Sequence, residues 1–308
     1  MHLNPKSLAV RTNYLVLAVV VLYLITQMVA QLTLGQSWLS DNLYRFLTFI
    51  QIFIILVPAA IFVYAHRIQP APFLRICILP APEALLIVLM SVTSGFIASV
   101  LNAFVIFLLE KAGPVKTGGI PPPENVNELW VQILVFAALP AICEEFFFRG
   151  IIYRAFEGFG TGVVLSVSAF YFALFHFDLR NLAGPLFLGF LITWYCYRSG
   201  SIFAAVLAHF INNLMAVLTG WFSRADPEAP MILTRDTLGQ MFSFACFAGI
   251  VFIILVQAFI GVTRKKVKKN LSGAQPFPAS LILHWPICLF VCTYVIISIV
   301  FISSLQAH

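Results

Sequence analysis

Three small sets of polar residues sit inside otherwise apolar stretches, and their types suit hydrolytic chemistry. The first is Glu144-Glu145 with Arg149, in the run Leu139-Pro140-Ala141-Ile142-Cys143-Glu144-Glu145-Phe146-Phe147-Phe148-Arg149. The second is His176, four residues after Phe172, and the third is His209 with Asn213 four residues later. Hydrolysis of a peptide bond needs a water that a carboxylate can deprotonate. It also needs hydrogen-bond donors for the oxyanion of the tetrahedral intermediate. Glu144 with His176 can meet the first need, and His209 with the Asn213 amide the second. No Gly-x-Ser-x-Gly and no other serine or cysteine motif competes with this set.

Spacing separates the two glutamates. Glu145 and Arg149 are four apart with the acid first, the favourable order for an ion pair along a helix. Glu144 is rotated about 100° away and lacks that partner. Glu145 and Arg149 are therefore expected to support the site, and Glu144 to act in it; Phe172, one helical turn before His176, is also expected to support it. The alternative is one buried structural network of all three charges. A second alternative is zinc held by Glu144, His176 and His209, because Glu and His are zinc ligands. The His-Glu-x-x-His spacing of many zinc hydrolases is absent, so no cofactor is expected. Gly158-Phe159-Gly160-Thr161-Gly162 looks like a phosphate-binding loop, but no strand precedes it, and it reads as a turn between helices.

These residues must be positioned by membrane helices. Of 308 residues, 61% are hydrophobic and 10% charged, against about 45–50% and about 25% in soluble domains. With a mean hydropathy of +0.98, the bilayer is the solvent. Ionisable groups there cost about 2.5–3.5 kcal/mol each, and are kept mainly where they function. The net charge of +6 then bears on topology and is no sign of a nucleic-acid partner. Stretches of about 20 apolar residues predict an all-α polytopic bundle of about nine spans: 13–34, 46–65, 84–109, 129–156, 161–178, 183–197, 201–220, 238–262 and 281–303. The fifth and sixth are short and are parted by Asp178-Leu179-Arg180-Asn181. The first resembles a signal peptide after Lys6 and Arg11, but its apolar run is long for one. Pro140 has no N–H for the Phe136 carbonyl and should bend the fourth span next to the glutamates. At 1.5 Å per residue, Glu144, His176, His209 and Asn213 fall ~18, ~22, ~12 and ~18 Å from one face, hence in one layer. Six cysteines lie mostly in apolar runs and read as core packing without disulfides.

With the N-terminus cytoplasmic, eleven loop or span-end Lys and Arg fall inside, among them Lys6, Arg75, Arg154, Arg198 and the run Arg264 to Lys269. Six fall outside: Arg45, Lys111, Lys116, Arg180, Arg224 and Arg235. This is the positive-inside pattern. The run Arg264 to Lys269 reads as a topology anchor. The loops Lys111–Glu128, with Gly118-Gly119 and three prolines, and Ser223–Thr237 are expected to be irregular.

Glu144-Glu145-x-x-x-Arg149, Phe172-x-x-x-His176 and His209-x-x-x-Asn213 together resemble the CPBP family, the CAAX proteases and bacteriocin-processing enzymes also called Abi. The stretch from Gly189 to Asn213 adds to the likeness, which covers residues 129–216 or so. The resemblance implies that Glu144 and His176 activate water and that His209 and Asn213 hold the oxyanion. It also implies a glutamate-type, metal-independent hydrolase. Eukaryotic members trim prenylated CAAX proteins, and bacterial members mature peptides or confer bacteriocin immunity.

The sequence thus predicts N-terminal membrane helices over 1–125, a catalytic membrane core over 126–220 holding spans four to seven, and C-terminal membrane helices over 221–308. The expected activity is an intramembrane endopeptidase acting on a membrane-embedded or lipidated, CAAX-like substrate. The expected place is a membrane, crossed several times, with the N-terminus in the cytoplasm (the plasma membrane if bacterial). The competing readings are a proton-coupled transporter, which would use the Glu and His groups as a relay, and a non-catalytic immunity or scaffold protein. No paired half-sequence symmetry supports the transporter.

Overall fold

The computed structural model describes residues 4–116, 121–224, 233–267 and 274–306. All regular structure among them is helical. In chain order the main helices are α1 (Pro5–Thr33), α2 (Leu43–Ala65), α3 (Ala81–Leu109), α4 (Val126–Phe159), α5 (Thr161–Leu174), α6 (Ala183–Ser199), α7 (Ile202–Ser223), α8 (Arg235–Val267) and α9 (Trp285–Gln306). They coincide with the nine expected segments. Seven are long and apolar enough to cross a membrane. α5 and α6, of 14 and 17 residues, span only ~21 and ~26 Å at 1.5 Å per residue, short of a ~30 Å core. A count of nine full spans is therefore not established, while a polytopic helical bundle is.

The expected fifth span, 161–178, is cut short for a local reason. Phe177 takes a left-handed φ of 48°, which ends the helix, and the chain turns through a 3₁₀ turn at Leu179–Asn181 capped by Asp178. His176 thus lies just beyond the last helical residue. Gly160, at φ 102°, makes the expected turn between α4 and α5, a conformation glycine adopts without strain.

Contacts group the helix ends at two opposite ends of the bundle. At one, Pro5 lies against Gly158 and the Gln275 N–H donates to the Gly158 carbonyl at 2.9 Å. The Ile202 N–H donates to Arg75 O at 3.1 Å, and Arg75 and Arg154 both pair with Glu157. Lys266 reaches buried Glu83 at 2.6 Å, so the basic run that reads as an anchor also makes a specific tie; Lys268 and Lys269 lie outside the described residues. At the other end Arg180 donates to the Lys116 carbonyl at 3.1 Å. Arg224 donates to the Pro123 carbonyl, and the Leu233 N–H to Glu110 at 3.3 Å. Gly118-Gly119 and most of the loop before Thr237 lie outside the described residues.

Lipid is as apolar as leucine, so helices in a bilayer associate through close packing and polar ties. Both are present. Gly189 of α6 sits against α5 so closely that an added Cβ would lie 3.1 Å from the Ala169 Cα. Phe147, Phe148, Tyr153, Phe156 and Phe290 fill the interior. The Tyr171 hydroxyl donates to Asn13 at 2.9 Å, joining α5 to α1. Cys143 and Cys196 are buried as expected, but Cys77, Cys246, Cys288 and Cys292 are exposed, because their helix faces or loops point away from the bundle. All six are free thiols.

Three π-helical stretches interrupt the ladder: Ile50–Leu56 in α2, and Ile133–Ala138 and Phe146–Ile152 in α4. Such stretches add a residue to a turn and often occur at functional sites. Here they flank Pro140 and the two glutamates, and the α2 stretch carries Gln51.

Candidate active site

Glu144 and Glu145 end the α-helical piece Leu139–Glu145 between the two π stretches of α4. From adjacent positions they point to different partners, as their rotation about the axis requires. Glu145 is fully buried and meets Arg149 at 2.7 Å, with both side chains inaccessible to solvent. Arg149 also donates to the Gly189 carbonyl at 3.0 Å and packs 4.6 Å above the Phe172 ring. This is the expected i to i+4 pair, with two further partners that keep a buried guanidinium satisfied.

Glu145 has a second role that spacing alone did not reveal. Its Oε1 lies 2.7 Å from His209 Nδ1. An ionised carboxylate can only accept, so Nδ1 carries the hydrogen and donates it. The other ring nitrogen, Nε2, then faces Glu144 Oε2 at 4.0 Å. His176 is oriented in the same manner. Its Nδ1 lies 2.8 Å from the Phe172 carbonyl, an acceptor, so Nδ1 carries the proton and the neutral ring keeps an acceptor lone pair on Nε2. The bond also occupies one of the carbonyls left unpaired at the end of α5. The Phe172 ring stands edge-on to both imidazoles, 5.0 Å from His176 and 5.5 Å from His209. One aromatic residue thereby fixes Arg149 and both histidines.

Asn213 donates through Nδ2 to the Phe136 carbonyl at 3.0 Å. That carbonyl is the one that Pro140 cannot serve. The Asn213 side chain keeps a second N–H and its oxygen for other partners.

Glu144, His176, His209 and Asn213 line one cavity of about 530 Å³. Phe172 and Pro140 also line it, whereas Glu145 and Arg149 stand behind it. The expected site residues are thus gathered by α4, α5 and α7, together with the turn that follows α5. A larger hollow of about 760 Å³, lined by such residues as Phe170, Phe187 and Phe277, is almost wholly apolar and holds none of these groups.

Sequence reasoning missed Gln51, Asn102, Asn181 and Asn212. Gln51 Nε2 donates to Glu144 Oε1 at 2.7 Å. Its signal was present: a lone amide within the apolar run Phe49 to Leu56. Asn102 of α3 donates to Asn181 at 2.6 Å and accepts from the Gly184 N–H at 2.7 Å. Asn102, Asn181 and Asn212 line the cavity, so α2 and α3, outside the expected core, contribute to the site. Among the described residues no group of three or more His, Cys, Asp and Glu side chains is disposed to hold a metal ion. Glu144, His176 and His209 do not form such a group.

Residues 126–215 match the family described as "Rce1-like: Type II CAAX prenyl endopeptidase Rce1-like". This is consistent with the CPBP/CAAX protease family that the three motifs resemble. No curated protein and no solved structure matches the chain.

Proposed function

With that family as premise, we propose that the chain is an intramembrane endopeptidase that uses a glutamate-activated water. Its substrate is a membrane-embedded or lipidated peptide, and its N-terminus lies in the cytoplasm. The observation that carries this reading is the orientation of the two imidazoles. Each has its Nδ1 bound to a fixed acceptor, which leaves Nε2 for chemistry in the cavity that holds Glu144.

A water between Glu144 and His176 meets two acceptors, which can take its hydrogens and turn a lone pair to the scissile carbonyl. Gln51 holds the Glu144 carboxylate in one rotamer, so the base is preorganised. As the tetrahedral intermediate forms, its oxyanion is met by the free N–H of Asn213 and by His209 in its protonated form. The proton taken up by Glu144 then passes to the leaving amine, which completes hydrolysis without a covalent enzyme intermediate. Arg149 and Phe172 take no part in these steps and hold Glu145 and the rings in place.

The test is a Glu144→Ala protein that inserts normally. The hydrolase reading expects peptide cleavage to vanish while membrane abundance is unchanged. Cleavage that persists removes Glu144 as the base.

A further inference from the structure

The cavity belongs to one end of the bundle. It runs from Glu144 and His209, within α4 and α7, to a rim of Asn102, Asn181 and Thr219, towards the far ends of α3, α5 and α7. From His209 to Thr219 along α7 is about 15 Å at 1.5 Å per residue. Its exposed lining residues, Ser99, Ala216 and Thr219, lie on the C-terminal halves of α3 and α7, towards that rim. At the opposite end the described residues pack together: Tyr153 and Phe156 are buried, and Arg75, Arg154 and Glu157 tie the loop after α2 to α4. None of these residues lines the cavity.

Charge separates the same two ends. Among the described residues the helix ends place nine Lys and Arg at the closed end and six at the rim end. Acidic residues run the other way, with Glu83 and Glu157 at the closed end and six at the rim end among the described residues. Excess Lys and Arg near helix ends marks the cytoplasmic side, whereas Asp and Glu contribute little to orientation.

We infer that the cavity opens to the extracytoplasmic side of the membrane, and that the substrate is a peptide segment presented from the outer face or outer leaflet. A protein lipidated at a cytoplasmic C-terminus would meet the closed end. The peptide part of this inference rests on the proposed hydrolase function; the orientation part does not.

Cysteine labelling in intact cells separates the two. Cys77 is exposed at the closed end. Against a background with Cys246, Cys288 and Cys292 changed to Ala, one protein keeps only Cys77 as an exposed thiol. A second carries Thr219→Cys with Cys77→Ala, and a third carries Ser99→Cys in its place should the second fold poorly. A membrane-impermeant maleimide added outside is expected to label the rim cysteine at once and Cys77 only after permeabilisation. The reverse order overturns the inference. A bulky maleimide on Thr219→Cys is further expected to abolish those cleavages that Glu144→Ala abolishes. Cleavage that continues past a modified rim overturns the substrate path. If Glu144→Ala abolishes none, the hydrolase reading fails, and the labelling order still decides the orientation.

Discussion

Asn213 donates a hydrogen bond to the Phe136 carbonyl at 3.0 Å, the acceptor that Pro140, four residues on, cannot serve. The proline of α4 and the amide of α7 are thus two halves of one device. A proline in a membrane helix frees a carbonyl that lipid cannot satisfy, and a neighbouring helix must do so. Here the neighbour is a candidate oxyanion donor, held by the very defect that shapes the helix.

Pro140→Ala should restore an intrahelical partner for Phe136 and release Asn213. The protein is expected to be as stable as the wild type or more so, yet to cleave more slowly. Thermal unfolding in detergent and turnover, measured on the same sample, give the comparison. Slower unfolding with unchanged turnover would break the link between the two residues.

Asn213→Leu removes both the tie and the donor. Loss of one oxyanion donor costs about 10²- to 10³-fold in kcat, and a loss of that size is expected here with little change in KM. A purely structural Asn213 would instead lower the amount of folded protein and leave the turnover of the remainder intact.

The buried pair sets a different expectation. Arg149→Met strands the Glu145 carboxylate and should cost about 3–5 kcal/mol, read as a lower unfolding temperature. Glu145→Gln together with Arg149→Met should recover most of that stability, because a buried pair replaced as a unit is often close to neutral. Activity is expected to stay low, since His209 loses the carboxylate partner that orients its ring through Nδ1. Recovery of both stability and activity would reduce Glu145 to a counter-ion of Arg149.

Gln51→Leu removes the donor on Glu144. Hydrogen bonds to charged groups are worth about 1.5–3 kcal/mol, so turnover should fall by about tenfold or more at 1.36 kcal/mol per decade. Gln51→Glu should be worse, because two carboxylates then face each other. Full activity in Gln51→Leu would show that Glu144 needs no such support.

Chelator should leave turnover of the purified protein unchanged. Behind this expectation stands the absence, among the described residues, of any group of three or more His, Cys, Asp and Glu side chains disposed to hold a metal ion. Loss of activity restored by zinc would reverse that view.

Much of the site was legible because membranes make polar residues conspicuous. Glu144, His176, His209 and Asn213 stand out in apolar runs, and helical spacing paired Glu145 with Arg149 correctly. The bond from Glu145 to His209 was not legible, because it joins α4 to α7 and depends on how those helices pack. Gln51 escaped notice because a single amide carries little signal until its partner in α4 is known. Helix positions followed from hydropathy, but the early end of α5 is set by the left-handed backbone at Phe177, which no apolar pattern encodes. The cysteines misled for a related reason: hydropathy separates lipid from water, and does not tell a helix face that meets lipid from one that meets another helix.

The most direct measurement compares membrane peptides from cells carrying the wild-type chain with those from cells carrying Glu144→Ala at equal membrane levels. The account predicts a defined set of cleaved peptides present with the wild type and gone with the variant. The same peptides found in equal amount with Glu144→Ala would contradict it.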